Sequence, residues 1–536
     1  MSRGRLVRRV LVRSLGYPHS ESMRTDLPEM ERAVAVGRVS PRGVRLWMRS
    51  PGGGAHRLEL WLDAVRSERL TYAFDMGERA HSDHTYAFAY PEDIPGARPL
   101  EPVTRYGYRI SRADGVLVGE GCFETLPSRP SQMPRRFCLG VASCHQPFDD
   151  QGEMHEMGLR MLRVARAAWE RCDVKQVLWV GDQLYADYPE SQSLFEPKYF
   201  KTVAPPGRES LLECTHDEVL AVYHKRYRRN WGHPAWLELQ ARFPGYPILD
   251  DHEVADNYGT LPKHHRKKWR HLRDAAEEAY RHYQHARVEP PRPGFEGPYD
   301  YTFEYGAAAG YVLDVRSERR SADGEHARVF SPHQLERFAT WLNVNDSAPV
   351  LFIVVSVPPF FMPGWLSRIA RYVPGSFRED AHDRWTHPQY RADRCRMLEL
   401  IRDHQQRHPR QRVVMVSGDV HVGYAARCDW RTDPPTSLYQ FVSSSITHKL
   451  SSLDWHLARH MPRTHFAMAD LEGKWARIHL LGGSMARVLE QPVGGLNVGA
   501  IEVELDGGLA RLNFKLFGED EDTPGEPKLL FESGFQ

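Results

Sequence analysis

Four short apolar runs in this chain each end in a cluster of oxygen, nitrogen or sulfur donors. The clusters are Ser143-Cys144-His145-Gln146, Gly181-Asp182-Gln183-Leu184-Tyr185-Ala186-Asp187, Asp250-Asp251-His252-Glu253 and Gly418-Asp419-Val420-His421. Few folds suit buried strands that run straight into carboxylates and imidazoles, because unpaired charge is costly to bury. In an open α/β sheet the carboxyl ends of the strands share one edge, where ligands bind, so loops far apart in sequence can meet there. Taken singly, most of the motifs have an ordinary explanation. Cys144 reads as a small buried hydrophobe, and Gly181-Asp182 or Gly418-Asp419 as a turn or helix cap. Asp250-Asp251-His252-Glu253 is sharper, since three acids and a His directly after a buried strand call for a cation. Four such loops together make convergence the central expectation.

The surrounding pattern agrees. From Phe137 onward short apolar strands alternate with amphipathic helices, the pattern of a layered α/β domain. Strands are expected over 137–142, 177–180, 247–249, 311–315, 350–355 and 413–416. Ser331-Pro332-His333-Gln334 marks a helix start, Thr215-His216-Asp217-Glu218 is a capping box, and the helix after Tyr390 ends at Pro409. The segment Lys263 to Glu289 is crowded with Lys, Arg and His, diluted by Asp274, Glu277 and Glu278, and reads as a solvated helix face. Residues 32–126 show short alternating runs such as Val44-Arg45-Leu46-Trp47-Met48, the pattern of a small β-sandwich. The expected organisation is a basic segment 1–31, a sandwich 32–126, a linker 127–136, a core 137–470 and a β-rich extension 471–536. Asp506-Gly507-Gly508 in that extension is a hairpin turn.

Seventy-one Lys and Arg balance seventy Asp and Glu, so no global field draws the chain to nucleic acid or an anionic membrane. Seven cysteines with no CxxC pair argue against a disulfide scaffold and for a reducing compartment. Arg8-Arg9 is followed only by Val10-Leu11-Val12 before Arg13, too short for an export signal, so a cytoplasmic protein is expected. The charge-free run from Ser347 to Ser367 is broken by four prolines and reads as a buried strand followed by a loop, with no transmembrane segment. The sequence leaves the oligomeric state open.

This donor set does not suit a structural zinc site, which prefers four Cys or His ligands. An Asp-rich set with one or two softer donors suits a catalytic pair of divalent or mixed-valence ions bridged by a carboxylate, and hence metal-assisted hydrolysis of a phosphate ester. One competing reading is a mononuclear, oxygen-activating iron enzyme, but no pair of His at short spacing with a nearby acid stands out. Another is a catalytically inactive binding protein that keeps the fold. Such decay should erase donors first, and every loop here retains its own.

The ordered motifs Val141-Ala142-Ser143-Cys144-His145-Gln146, Trp179-Val180-Gly181-Asp182-Gln183-Leu184-Tyr185-Ala186-Asp187, Ile248-Leu249-Asp250-Asp251-His252-Glu253-Val254, Leu313-Asp314-Val315-Arg316-Ser317 and Val416-Ser417-Gly418-Asp419-Val420-His421 resemble the PhoD-like (alkaline phosphatase D) family of metallophosphatases. The resemblance covers about 137 to 450, and the segment before it is similar to the fibronectin-type sandwich that precedes the catalytic domain in that family. It implies that Asp182 bridges two metal sites and that Cys144 and Tyr185 hold Fe(III). It makes Asp251, Asp419 and His421 the remaining ligands, with Ca(II) or another divalent ion as the second metal. His252 would face the leaving-group oxygen while a metal-activated hydroxide attacks phosphorus in line, and Gln146, Asp250 and Arg316 would support the ligands or contact phosphate. Members of the family are often exported folded, from which this chain looks like a cytoplasmic departure. The insertion between Tyr188 and Pro244 and the aromatic loop 360–365 are expected to border the site.

Overall fold

The computed structural model describes residues 29–536 except 64, 78–80, 293, 322–326, 371, 373–375, 450–459, 463–475 and 483–490. Arg8-Arg9 and nearly all of the basic segment lie outside the described residues. Strands Arg136–Ala142, Val174–Trp179 and Gly245–Pro247 pair in parallel and are buried on both faces, as a covered parallel sheet requires. Along the other edge of Arg136–Ala142 runs the antiparallel strand Val498–Asp506, followed by Leu509–Glu519 and Pro527–Glu532, giving six strands. Gly507 and Gly508, with φ of 55° and 82°, make the expected two-residue hairpin turn, where side chains would be strained.

The second sheet has seven strands in the spatial order Tyr301–Tyr305, Ala308–Val312, Val350–Val354, Arg412–Ser417, Ser437–Val442, Val422–Trp430 and Ala476–Leu480, with Val493–Gly494 paired to the sixth. The second to fifth are mutually parallel. Val141, Ile501 and Phe514 of the first sheet share one core with Phe352, Val416 and Phe441 of the second, and the Phe441 and Phe514 rings lie 5.2 Å apart. Helix Glu156–Arg171 packs on the outer face of the first sheet, Pro234–Arg242, His216–Asn230 and Arg270–Tyr283 continue that apolar layer towards the N-terminal strands, and Pro332–Val344 and Arg391–Arg407 cover the outer face of the second. Each large apolar side chain so buried contributes about 1.5–3 kcal/mol. The result is a helix–sheet–sheet–helix stack.

Thr215 closes its capping box with Glu218, and Ser331 accepts from Gln334 N. Four expected strands end early. Val180, Ile248, Leu313 and Val355 still donate to neighbouring strands, but the chain then turns out of the ladder. The reading of 263–289 needs correction. Leu272, Ala275, Ala276, Ala279, Tyr280 and Tyr283 form a buried stripe at helical spacing, which the dense charges between them obscure. The run at 347–367 contains the buried strand Val350–Val354, and no described helix is long and apolar enough to cross a membrane.

Before the first sheet, residues 33–124 form a three-stranded and a four-stranded antiparallel sheet. Phe74 of one and Phe88 of the other meet at 4.8 Å. Trp47 Nε1 donates to His282 O at 2.8 Å and Tyr108 OH to Ala241 O at 3.2 Å, tying these sheets to the helical layer.

Candidate metal centre

All four donor clusters emerge at carboxyl ends of parallel strands. Arg136–Ala142 leads to Cys144, Val174–Trp179 to Asp182 and Tyr185, Gly245–Pro247 to Asp250 and Asp251, and Arg412–Ser417 to Asp419 and His421. Ala308–Val312 adds Arg316, and Ser437–Val442 adds Ser444 and His448. Cys144 N donates to Gly181 O at 3.3 Å between two loops of the first sheet, and the two sheets join where Ile446 N donates to Ser143 O at 2.9 Å.

The side chains close on one another. Cys144 Sγ lies 3.5 Å, and the Tyr185 hydroxyl 3.3 Å, from the same Asp182 Oδ2. Ser444 Oγ bridges Cys144 Sγ, at 3.1 Å, and the His421 backbone N–H, at 3.0 Å. Carboxylate oxygens of Asp250, Asp251 and Asp419 lie within 4.8 Å of one another, as do donor atoms of Asp182, Asp251 and His252. Five of the six expected ligands therefore meet side chain to side chain, and His421 joins them through its backbone N–H and through His448, whose ring lies 5.0 Å from that of Tyr185. His252, expected as a proton donor, also stands at ligand distance from two of them.

The backbone there is strained in a consistent way. Cys144, Asp182, Asp419 and His421 have φ of 58°, 53°, 64° and 55°, half of the eight described non-glycine residues in the left-handed region. Such conformations persist only where surrounding structure over-determines them, and they cluster at functional sites. Gly181, at φ 97°, packs so closely that a Cβ would fall 2.6 Å from that of Asp250.

Charge crowding tests whether these residues fit cations. Burial raises the pKa of Asp182 well above the usual carboxylate range, with Asp250, Cys144, Asp251 and Glu253 adding to it. Asp250 and Asp419 are raised by burial too, against the pull of Arg316 and Arg384 respectively. Burial lifts Cys144 to about 11 and Tyr185 well above 10. Asp250 Oδ2, His421 Nδ1, His448 Nδ1 and Gln146 Nε2 are buried without a hydrogen-bond partner. Carboxyl, thiol and phenol groups whose charged forms burial disfavours, together with unpartnered polar atoms, are what cations of high charge would relieve, so the residues fit them.

Fully buried Arg316 grips the cluster from behind. Its Nε donates to Asp250 Oδ1 at 2.5 Å, its Nη1 to Asp383 Oδ1 at 2.7 Å and its Nη2 to Asp251 Oδ1 at 3.2 Å, and Asp419 Oδ1 lies 3.7 Å away. Gln146 Oε1 accepts from Phe148 N at 2.5 Å. His252 Nδ1 sits 2.7 Å from Asp187 Oδ1, and its ring stacks on Tyr185 at 4.2 Å. Although burial opposes it, Asp187 and Asp251 raise the pKa of His252 well above 6.5.

Sequence reasoning gave no role to several residues that matter here. Glu253 accepts from the backbone of Asp182 (3.2 Å), Gln183 (2.6 Å) and Asp250 (2.9 Å), fastening two ligand loops together. Arg384 pairs with Asp419 and lies over the Phe361 ring, which brings the aromatic loop to the site. His448 stacks on His421 at 4.2 Å. Glu253 and Asp187 stood inside the motifs, whereas Asp383, Arg384 and His448 carry no local signal. The insertion after Tyr188 buttresses the loops from outside: Arg226 Nε donates to Tyr185 O at 2.7 Å and Asn230 Nδ2 to Gln183 O at 3.1 Å.

Two facing sheets that deliver carboxylates, imidazoles, a thiol and a phenol to their common carboxyl edge define a metal-dependent phosphatase. The PhoD-like phosphatase family model matches residues 139–478, more than half of the chain, and the chain belongs to that family, as a phosphoric ester hydrolase. The solved structure of PhoD is similar over 95% of this chain and 90% of its own, at 18% identity and a TM-score of 0.61. The purple acid phosphatase PPD1 from yellow lupin (Lupinus luteus) seeds is similar over 94% of this chain and 73% of its own, at 11% identity and a TM-score of 0.50. At these identities the likeness establishes the fold. No curated protein matches the chain.

Proposed function

We propose that the chain hydrolyses phosphate mono- or diesters at a binuclear centre bridged by Asp182. Cys144 and Tyr185 are the donors for Fe(III), and Asp251, Asp419 and His421 complete a set that also holds Ca(II) or another divalent ion. The observation that carries this reading is that the Cys144 thiol and the Tyr185 hydroxyl reach one oxygen of the same carboxylate, at 3.5 and 3.3 Å. When bound, the cations would supply Lewis acidity and lower the pKa of a nucleophilic water towards about 7.

The chain's own groups do the rest. Asp187 holds His252 by Nδ1, leaving Nε2–H to give a proton to the departing oxygen of the ester. Arg316 and Glu253 keep the carboxylates in position, and Gln146 Nε2 is an unpartnered donor suited to a phosphate oxygen. Hydrolysis is favoured over iron oxidation chemistry because four Asp side chains crowd the cleft, where a facial triad uses one carboxylate. We read the two N-terminal sheets as a fibronectin-type sandwich before a core spanning 137–470, with 471–536 as its extension.

Elemental analysis of the purified chain, paired with assays of one aryl phosphomonoester and one diester, tests the proposal. Two metal ions per chain, one of them iron, with hydrolysis of at least one ester, is the expected result. Full activity with a single ion or none would overturn it.

A further inference from the structure

A cavity of about 640 Å³ lies between the N-terminal sheets and the helix Arg270–Tyr283, and none of its lining residues belongs to the metal centre. Its wall holds Arg45, Tyr86, Arg281, His285, Pro290 and Phe295. Arg45, on the strand Val44–Arg49, is only 8% exposed. Its Nε donates to Ala286 O at 2.6 Å, and no other described residue hydrogen-bonds or ion-pairs with its two Nη groups. A buried guanidinium normally has an acid to face, because an unpaired one is costly to desolvate.

Of the four acids on the wall, Glu296 is exposed to solvent and the other three have partners besides Arg45, although Asp93 and Glu289 lie near enough to favour its charge. Asp93 Oδ2 accepts from Ala89 N at 2.7 Å, Glu289 pairs with Arg38 at 2.6 Å, and Glu278 lies 3.5 Å from Arg281 and 3.6 Å from His282. A second buried group shares the wall: His285, 6% exposed, has an Nε2 with no partner. Burial, with Arg281, Arg292, Arg38 and Arg45 around it, pushes its pKa down to about 3, so a neutral imidazole stands beside these guanidinium groups. Tyr86, Phe295, Ala87 and two prolines form the apolar part of the wall.

We propose that this cavity is a binding site for an organic anion, whose carboxylate or phosphate-like head meets Arg45 and His285 and whose aromatic body packs against Tyr86 and Phe295. The volume falls within the range of small-molecule sites. A planar guanidinium recognises either head through paired N–H donors.

Isothermal titration of the metal-loaded full chain with phenylacetate and with benzylphosphonate tests this, with benzyl alcohol as the neutral control. Saturable binding of at least one of the two anions, weakened about tenfold or more by Arg45→Met and retained in Asp182→Asn, is expected. The tighter of the two identifies the head. Ala87→Phe, which fills the cavity without touching charge, should abolish binding and decides the matter if Arg45→Met does not fold. Four results would overturn the site: no binding of either anion, equal binding of benzyl alcohol, affinity unchanged by both cavity variants, or loss of binding in Asp182→Asn alone.

Discussion

Asp182 is the residue whose charge and shape can be separated most cleanly. Asp182→Asn keeps the size and removes the negative charge from the oxygen that Cys144 and Tyr185 approach. Hydrolysis should fall by about three orders of magnitude or more, the scale expected when a metal bridge is lost. The metal-free variant should melt no lower than the metal-free parent, because the carboxyl it replaces is buried among Asp250, Asp251 and Glu253. Activity assays beside thermal melts check both parts. Tyr185 gives a second, spectroscopic test. If its phenolate binds Fe(III), the loaded protein is coloured, and Tyr185→Phe removes the band while costing less activity than Asp182→Asn, since one donor atom is lost and the ring stays against His252. A band that survives the substitution unchanged takes the phenolate out of the metal shell.

At the scale of elements, three of the four strands that lead to expected ligands are followed by residues in the left-handed region, so the loop backbone aims those ligands. Gly181→Ala should show how tight that aim is. The new Cβ would lie 2.6 Å from that of Asp250, at a φ of 97° that L side chains rarely adopt. Thermal stability should drop by about 1–3 kcal/mol, and kcat should fall with it as the Asp182 and Asp250 loops separate. Unchanged kcat in a folded variant would show that these two loops tolerate displacement. Strand positions were readable because Val, Ile and Leu run without polar interruption up to each donor cluster. The stripe of helix Arg270–Tyr283 was hidden because half of it is alanine, which carries little hydrophobic signal among so many charges. Arg384 and His448 were not readable at all: each lies in an irregular segment and reaches the centre through tertiary packing alone.

For the whole molecule, the centre is where both sheets are held in register, so cations should stabilise more than the loops that touch them. Chelation should lower the melting temperature of the full chain. A site held at about 100 times its Kd contributes about 2.7 kcal/mol to global stability. Calorimetry with and without chelator, and after adding metal back, measures this, and an unaltered transition would mean that the cleft is pre-formed without ions. The convergence itself was foreseeable, because strand ends in such sheets share an edge. The carboxylate bracing by Glu253 and the clamp by Arg316 required the folded backbone to be seen. The strand Val498–Asp506 lies directly against Arg136–Ala142, the strand that leads to Cys144. During synthesis the strand that presents Cys144 therefore emerges long before its edge partner, with that β edge open in the meantime. A nascent chain stopped before Val498 would hold every proposed ligand yet expose an edge ready to pair with another chain.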